Sequence, residues 1–527
     1  MTSRPGILET SLLAALAAFT AAVAAASLWW PFGWDAGIFT WVADVIRHGG
    51  LPYRDAWDAK GPFSFYIYAF LQRLAGPSMW PVRVFDLALM SSSALAVAVM
   101  VRRHAPGTMA AWIALLLLLA YYASDYYNTT QPDAWIGALA AIAMAVLLRD
   151  DLDEHVGFAS LAAFVIGLGL AQKPTFLALL PLPALAVLLL PGRTVARRAG
   201  LAAVLTLAAL LPAAITAAYF AAQGELPRLV EGYVALNMEM SRQVVGGVGR
   251  GLFYTLDFAL RMPAAPLLLP AAVVGAAHLW HRDRRACLLL LAWCAGMALC
   301  IAAQRRYWPY HWHPFAWALG PLAGIGLASV FQDADTRARP GRVLAAAAFA
   351  LVVFTLVFPL QRRVREWVQL LRGDFPTGTA YLRQFPADQS DLLADDVALG
   401  EWLATHSAAE DRVFVWDSPL ANALAGRRTP GRIGFFLPLV LARANLNEPV
   451  PLGPIQQRLR GEFLASLEAP ETRFVVVSRK AMAGIEPNLR KSVPVLFPDF
   501  GATLAERWQV ADSVGDYRIH TRRAAGP

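Results

Sequence analysis

The chain has 527 residues, of which 57% are hydrophobic and only 16% charged, and its mean hydropathy is +0.45. A soluble domain is roughly 25% charged, so disorder, a collagen-like repeat, a disulfide scaffold and a purely soluble enzyme are excluded. The formal charge is +8, from 46 basic against 38 acidic residues. That excess is accounted for by loops of a membrane protein, which carry basic residues to fix topology, and gives no reason to invoke nucleic acid. Only four of the basic residues are lysines, Lys60, Lys173, Lys480 and Lys491, which makes the two in the apolar half informative.

The apolar excess is uneven. Up to about residue 360 the chain is a series of Ala/Leu/Val runs long enough to cross a hydrocarbon core ~30 Å thick, and the remainder reads as a soluble domain. About eleven spans are predicted, near 7–29, 80–102, 108–124, 131–148, 157–172, 175–191, 198–221, 264–281, 286–303, 311–331 and 341–360. The first run is longer than a signal-peptide core, so it is expected to be a retained anchor. With the N-terminus taken as cytoplasmic, every short inside loop holds arginine: Arg102-Arg103, Arg149, Arg193/Arg197/Arg198, Arg282/Arg284/Arg285 and Arg337/Arg339/Arg342. The positive-inside rule then places the long connections 30–79 and 222–263, and the tail, on the outer face. Cys287, Cys294 and Cys300 share one apolar helix. At ~1.5 Å rise per residue they are too far apart for a disulfide.

The first long connection carries the densest chemistry. Asp35 follows the first span, an amphipathic helix is expected to about His48, and the stretch 49–62 reads Gly-Gly-Leu-Pro-Tyr-Arg-Asp-Ala-Trp-Asp-Ala-Lys-Gly-Pro. A second amphipathic helix is expected from Phe63 to about Leu74. Aromatic, weakly charged amphipathic helices lie in the membrane interface and would hold the acids where a lipid headgroup sits. A carboxylate at the membrane border is a functional candidate by default, and a lysine fixed beside a Gly-Pro turn is a point charge suited to phosphate. Asp35, Asp58 and Lys60 are therefore candidates, with Tyr53 and Arg54 beside them as substrate contacts.

Further outer-face features follow. Gln131-Pro132-Asp133 opens the fourth span; the plain alternative for Asp133 is a first-turn acid stabilised by the helix dipole. Lys173 sits in a Gln-Lys-Pro break, where its plain alternative is snorkelling. The segment 304–313, Gln-Arg-Arg-Tyr-Trp-Pro-Tyr-His-Trp-His, opens the tenth span, and its arginines and aromatics suit a phosphate and a sugar. Arg305 and Arg306 are candidate phosphate contacts, and Tyr310 and His311 candidate substrate contacts. The i,i+2 spacing of His311 and His313 does not build a zinc site; a divalent metal held by Asp58 or His311 is left open, and no other cofactor is expected. The glycines of 246–251 lack a preceding strand and are read as flexibility rather than a nucleotide loop.

In the tail, a helix over 396–406 and strands at 413–416, 474–477 and 516–520 predict a small α/β domain. The expected partition is 1–360 for the membrane domain, with outer loops 30–79 and 222–263, and 361–527 for the soluble domain.

Together these residues resemble the bacterial GT-C glycosyltransferases of the protein-O-mannosyltransferase and aminoarabinose-transferase type (family 39-like). The resemblance rests on Asp35, the 49–62 stretch, Gln-Pro-Asp at 131–133, Lys-Pro-Thr at 173–175 and Arg-Arg-Tyr-Trp-Pro-Tyr-His at 305–311. It extends to Gly-Glu-Trp-Leu at 400–403 leading to 411–416 in the tail. It implies a polytopic helical membrane protein in the cytoplasmic (inner) membrane, with an extracytoplasmic α/β domain. It also implies inverting transfer of a sugar from a polyprenyl-phosphate donor to a lipid, glycan or protein acceptor. Within that resemblance Asp35 stands where the family has its general base, Lys60 where it has a phosphate-contacting lysine, and Asp58 near an acidic metal or substrate ligand. Two departures stand out: Lys-Gly-Pro replaces Lys-Pro-Pro at 60–62, and Asp35-Ala36 replaces a pair of acids. The competing readings are a transporter of lipid-linked sugars, which predicts polar residues within the spans, a non-catalytic scaffold, and a ligase joining whole glycans. Asp86 and Asp257, the nearest polar exceptions, both lie near outer ends of spans.

Overall fold

A computed structural model describes residues 6–243, 253–254, 256–257, 260, 264–304, 307–332, 339–375, 377–385, 393–440, 451–483 and 492–524. Arg305, Arg306 and the 246–251 glycines lie outside the described residues. All eleven expected spans are helical. Six helices are long and apolar enough to cross a membrane among the described residues: Ile7–Ser27, Trp80–His104, Val195–Ala222, Arg284–Gln304, Pro309–Phe331 and Pro340–Leu371. Met109–Tyr122, Pro132–Leu147 and Val156–Gln172 are shorter apolar helices. The stretch expected as one span at 175–191 divides into a 3₁₀ turn, Pro174–Leu179, and a short helix, Pro181–Leu188. Prolines 174, 181 and 183 remove the backbone donors a continuous helix needs.

The chain divides into two compact units. The first comprises Met1–Trp30, Val82–Tyr219 and Gly246–Val368. Its helices Ala265–Arg282 and His313–Gln332 approach closely at glycine: Gly275 lies against the Leu322 carbonyl and Gly326 against that of Ala271, with no room for a Cβ. Small residues let membrane helices pack backbone to backbone. Several expected inside-loop arginines close helix ends. Arg285 donates to the carbonyls of Leu147, Leu148 and Ala186, which end Pro132–Leu147 and Pro181–Leu188. Arg193 and Arg197 pair with Asp153 at 2.8 and 2.9 Å. The last helix of this unit runs on through Pro359 to Leu371, beyond the expected end at 360, and stops before Gly373, whose φ of +76° is left-handed.

The second unit comprises Pro31–Pro81, Phe220–Val245 and Gln369–Pro527, so these parts of the two long connections group with the tail. The tail is built on a four-stranded sheet, β1 (Arg412–Val415), β2 (Thr472–Ser478), β3 (Trp508–Val514) and β4 (Tyr517–Arg522), in the order β1-β2-β4-β3. β1 and β2 are parallel, with Val413 opposite Phe474; β4 is antiparallel to both β2 and β3. The sequence reading did not find β3, which is exposed along most of its length and has no apolar alternation. A two-residue turn with Gly515 at positive φ joins it to β4. Leu399 and Leu403 of the helix Leu393–His406 pack on Val413, Val415, Phe474, Val476 and Ile519. Tyr517, in the same core, donates its hydroxyl to Asp396 at 2.6 Å.

Candidate active site

In the second unit the expected amphipathic helices of the first connection form as Trp34–Arg47 and Pro62–Gln72. Gly33, in extended conformation, caps the first helix, so Asp35 falls in its first turn, where the helix dipole favours a carboxylate. Asp35 is half-buried. Its neighbour Trp34 is fixed by an Nε1–H donated to the Asp417 carbonyl at 2.9 Å and by ring contacts with Phe435 and Phe436.

Between these helices the chain folds into a buried turn. Asp58 and Lys60 are 5% and 6% exposed, and Asp58 Oδ2 accepts the Lys60 backbone N–H at 3.1 Å. Burial pushes the Asp58 carboxyl up to about 6; the Lys60 charge opposes this shift and the nearby Asp35 carboxylate adds to it. Asp35 and Asp58 therefore act electrostatically on one another. Gly61 caps the second helix and Pro62 is its first residue, which sets Lys60 at a positive helix end suited to an anion.

Tyr53 adopts a φ of +67°, sparsely populated for a non-glycine residue. It is fully buried, and its hydroxyl donates to the Lys60 carbonyl at 2.6 Å. It thus braces the turn from beneath. Burial pushes its hydroxyl well above the usual range. Arg54 is more exposed and pairs with Asp55 at 2.7 Å and Glu225 at 3.9 Å.

The first unit holds the other sequence candidates. Asp133 opens the helix Pro132–Leu147 directly after Pro132 and is 1% exposed. Lys173, held in extended backbone at the end of Val156–Gln172, donates to Asp133 at 2.8 and 3.0 Å and to Gln304 Oε1 at 2.6 Å. Its ammonium is 3.4 Å from His311 Nε2, and Tyr310 packs edge-on against the His311 ring. Gln304 is a site residue that sequence reasoning missed; its signal is a polar side chain closing the apolar helix Arg284–Gln304. Also overlooked was Arg83, buried and bound to Thr129 Oγ1 at 2.5 Å. Asp86, noted as a polar exception, accepts from the Tyr121 hydroxyl and Trp135 Nε1 at 2.8 and 2.7 Å.

No group of three His, Cys, Asp or Glu residues able to hold a metal occurs among the described residues. His311 faces the Lys173 ammonium, a poor setting for a cation. Asp58 and Asp35 could supply two carboxylates to a divalent ion that takes its other ligands from phosphate and water, the usual arrangement for Mg²⁺.

Residues 59–217 match the family model described as dolichyl-phosphate-mannose-protein mannosyltransferase, a stretch that contains Lys60, Asp133 and Lys173. No curated protein sequence matches the chain. Among solved structures, ArnT from Cupriavidus metallidurans bound to undecaprenyl phosphate is similar over 98% of this chain and 99% of that chain, with a TM-score of 0.62 and 14% identity. The apo state of the same protein gives 0.60 and 17% over the same shares. The archaeal oligosaccharyltransferase AglB from Archaeoglobus fulgidus, in complex with an inhibitory peptide and a dolichol-phosphate, is similar over 97% of this chain and 75% of that chain, at 0.50 and 12%. The resemblance read from the loop motifs thus extends to the architecture: the chain shares the fold of these structures, with a helical membrane part and a C-terminal sheet domain.

Proposed function

We propose that the protein is a membrane glycosyltransferase that moves a sugar from a polyprenyl-phosphate donor to an acceptor at the outer face of the cytoplasmic membrane, with inversion. The observation that carries this reading is the turn in the second unit, where a buried Asp58–Lys60 pair at a helix N-terminus is electrostatically coupled to Asp35. The fold it shares with ArnT, solved with undecaprenyl phosphate, supports a donor of that class. Asp35 takes the proton of the acceptor hydroxyl as that oxygen attacks the anomeric carbon, a contribution of ~10²–10⁴ in rate. The bond to phosphate breaks as the new glycosidic bond forms. Lys60 and the helix end at Pro62 stabilise the charge left on the departing lipid phosphate. If a divalent ion takes part, Asp58 and Asp35 are the carboxylates to hold it, and it would neutralise that same charge. Arg305 and Arg306 remain proposed phosphate contacts on sequence grounds. Asp133, Lys173, Tyr310 and His311 remain proposed substrate contacts on sequence grounds. The arginines of the short loops support a cytoplasmic N-terminus and an outer tail.

The test is transfer of radiolabelled sugar from polyprenyl-phosphate donors by membranes carrying wild type, Asp35→Asn or Lys60→Ala at matched levels. Loss in both variants supports the assignment. Unchanged transfer in Asp35→Asn refutes the base. A wild type inactive with every donor favours a scaffold or transporter.

A further inference from the structure

The turn 51–61 contains no helix or sheet of its own, yet it is mostly buried, so the backbone groups left over by its internal bonds, such as Tyr53 N–H to the Ala56 carbonyl, must find partners elsewhere in the unit. Arg432, in the tail between β1 and β2, supplies two. Its carbonyl accepts the Trp57 N–H at 2.8 Å, and its guanidinium donates to the Tyr53 carbonyl at 3.3 Å. The same guanidinium reaches Glu231 and Glu462, both at 2.9 Å, and is 8% exposed. Glu231 also receives Arg458 at 2.6 Å. Burial would raise the Glu231 carboxyl, but the hydrogen bonds from the two arginines hold it below the usual range.

Glu231 lies in a π-helical turn, Val230–Ala235, a feature frequent at functional sites. From this turn the Gly232 carbonyl accepts Trp57 Nε1–H at 3.1 Å, and Asn237, in the helix Leu236–Arg242 that follows, donates to the Ala59 carbonyl at 2.8 Å. Trp57 and Ala59 flank Asp58. The residues on either side of that carboxylate are thus held by Arg432 and by the segment that Arg432 anchors.

We propose that Arg432 is a positioning residue for the donor site. Its planar fork ties Tyr53, Glu231 and Glu462 together and so sets the Asp58–Lys60 turn, which makes the tail part of the site rather than an appended module. This rests on the reading of Lys60 as a phosphate contact. A lysine at 432 keeps the charge but cannot bond three acceptors in one plane.

The test uses the full-length protein in lipid nanodiscs, comparing wild type with Arg432→Gln, Arg432→Lys and Glu231→Gln. Two quantities are read: donor KM and kcat for sugar transfer, and backbone hydrogen exchange of the 51–62 segment. In Arg432→Gln, exchange should rise in that segment and kcat/KM should fall by roughly tenfold to a hundredfold, the scale of a misplaced contact, chiefly through donor KM. Arg432→Lys should fall between Gln and wild type, and Glu231→Gln should shift KM in the same direction. Unchanged donor KM in folded Arg432→Gln, or unchanged exchange in 51–62, overturns the proposal. If neither Arg432 variant gives folded protein, Glu231→Gln decides, and wild-type KM there overturns it. A wild type that transfers no sugar from any polyprenyl donor refutes the functional reading and this inference with it. An active wild type whose KM the variants share refutes this inference alone.

Discussion

Two carboxylate–lysine pairs, one in each unit, are built on opposite principles. In the first unit Lys173 places its ammonium directly on Asp133 and shares it with Gln304 and His311. In the second, Asp58 accepts the backbone N–H of Lys60, and the lysine charge only partly offsets the cost of burying the carboxylate, which rests at about 6. Both are buried, but Lys173 places its ammonium directly on Asp133, whereas burial raises the Asp58 carboxyl despite the Lys60 charge. Perturbed carboxylates of the second kind mark functional sites, whereas a satisfied buried pair can equally serve packing. The turn at 51–61 is thus the better candidate for chemistry, and the Asp133–Lys173 pair for shape.

The largest expected effect lies on the reactive side of that contrast. Asp35→Asn should lower kcat for sugar transfer by about 10²–10⁴, and Lys60→Ala should cost a comparable factor if it meets the departing phosphate. Both are read from transfer of labelled sugar at equal protein. On the structural side, Lys173→Met leaves Asp133 buried without its cation and should destabilise the first unit by about 3–5 kcal/mol. Thermal unfolding in detergent checks this. The double variant Asp133→Asn/Lys173→Met should recover much of the loss, and no recovery would mean that the lysine matters for more than the pair.

The pH response sharpens the comparison further. Burial makes Asp58 titrate higher in the fold than its ordinary value of 3.8, so the folded state binds more protons than the unfolded state between about 4 and about 6. Stability relative to Asp58→Asn should therefore fall as pH rises through that window and be level above it. The smallest effect concerns the wall of the turn. A Cβ at Gly232 would lie 2.6 Å from the Tyr53 ring, and Gly232→Ala should cost about 1–3 kcal/mol by overpacking. A wild-type melting temperature would show that the ring can move aside.

Much of this was legible in the sequence because the signals were local. Apolar run lengths located the helices, Gly61-Pro62 marked the turn before the second helix of the first connection, and scarcity of lysine drew attention to Lys60 and Lys173. What could not be read was tertiary. Nothing in the sequence around Arg432 or Glu231 says that they meet, since they lie 201 positions apart, and neither belongs to a periodic pattern. Tyr53 was expected to face substrate, whereas its hydroxyl supports the Lys60 carbonyl, a partner seven residues on that only the left-handed turn brings within reach. The strand β3 was overlooked because an exposed edge strand needs no apolar alternation.

The most direct test of the account is the steady-state kinetics of purified Asp35→Asn with a polyprenyl-phosphate sugar donor. An interaction made only in the transition state lowers kcat without weakening ground-state donor binding. The account predicts a fall in kcat of about a hundredfold or more with donor KM close to wild type. Wild-type kcat in that variant would contradict it.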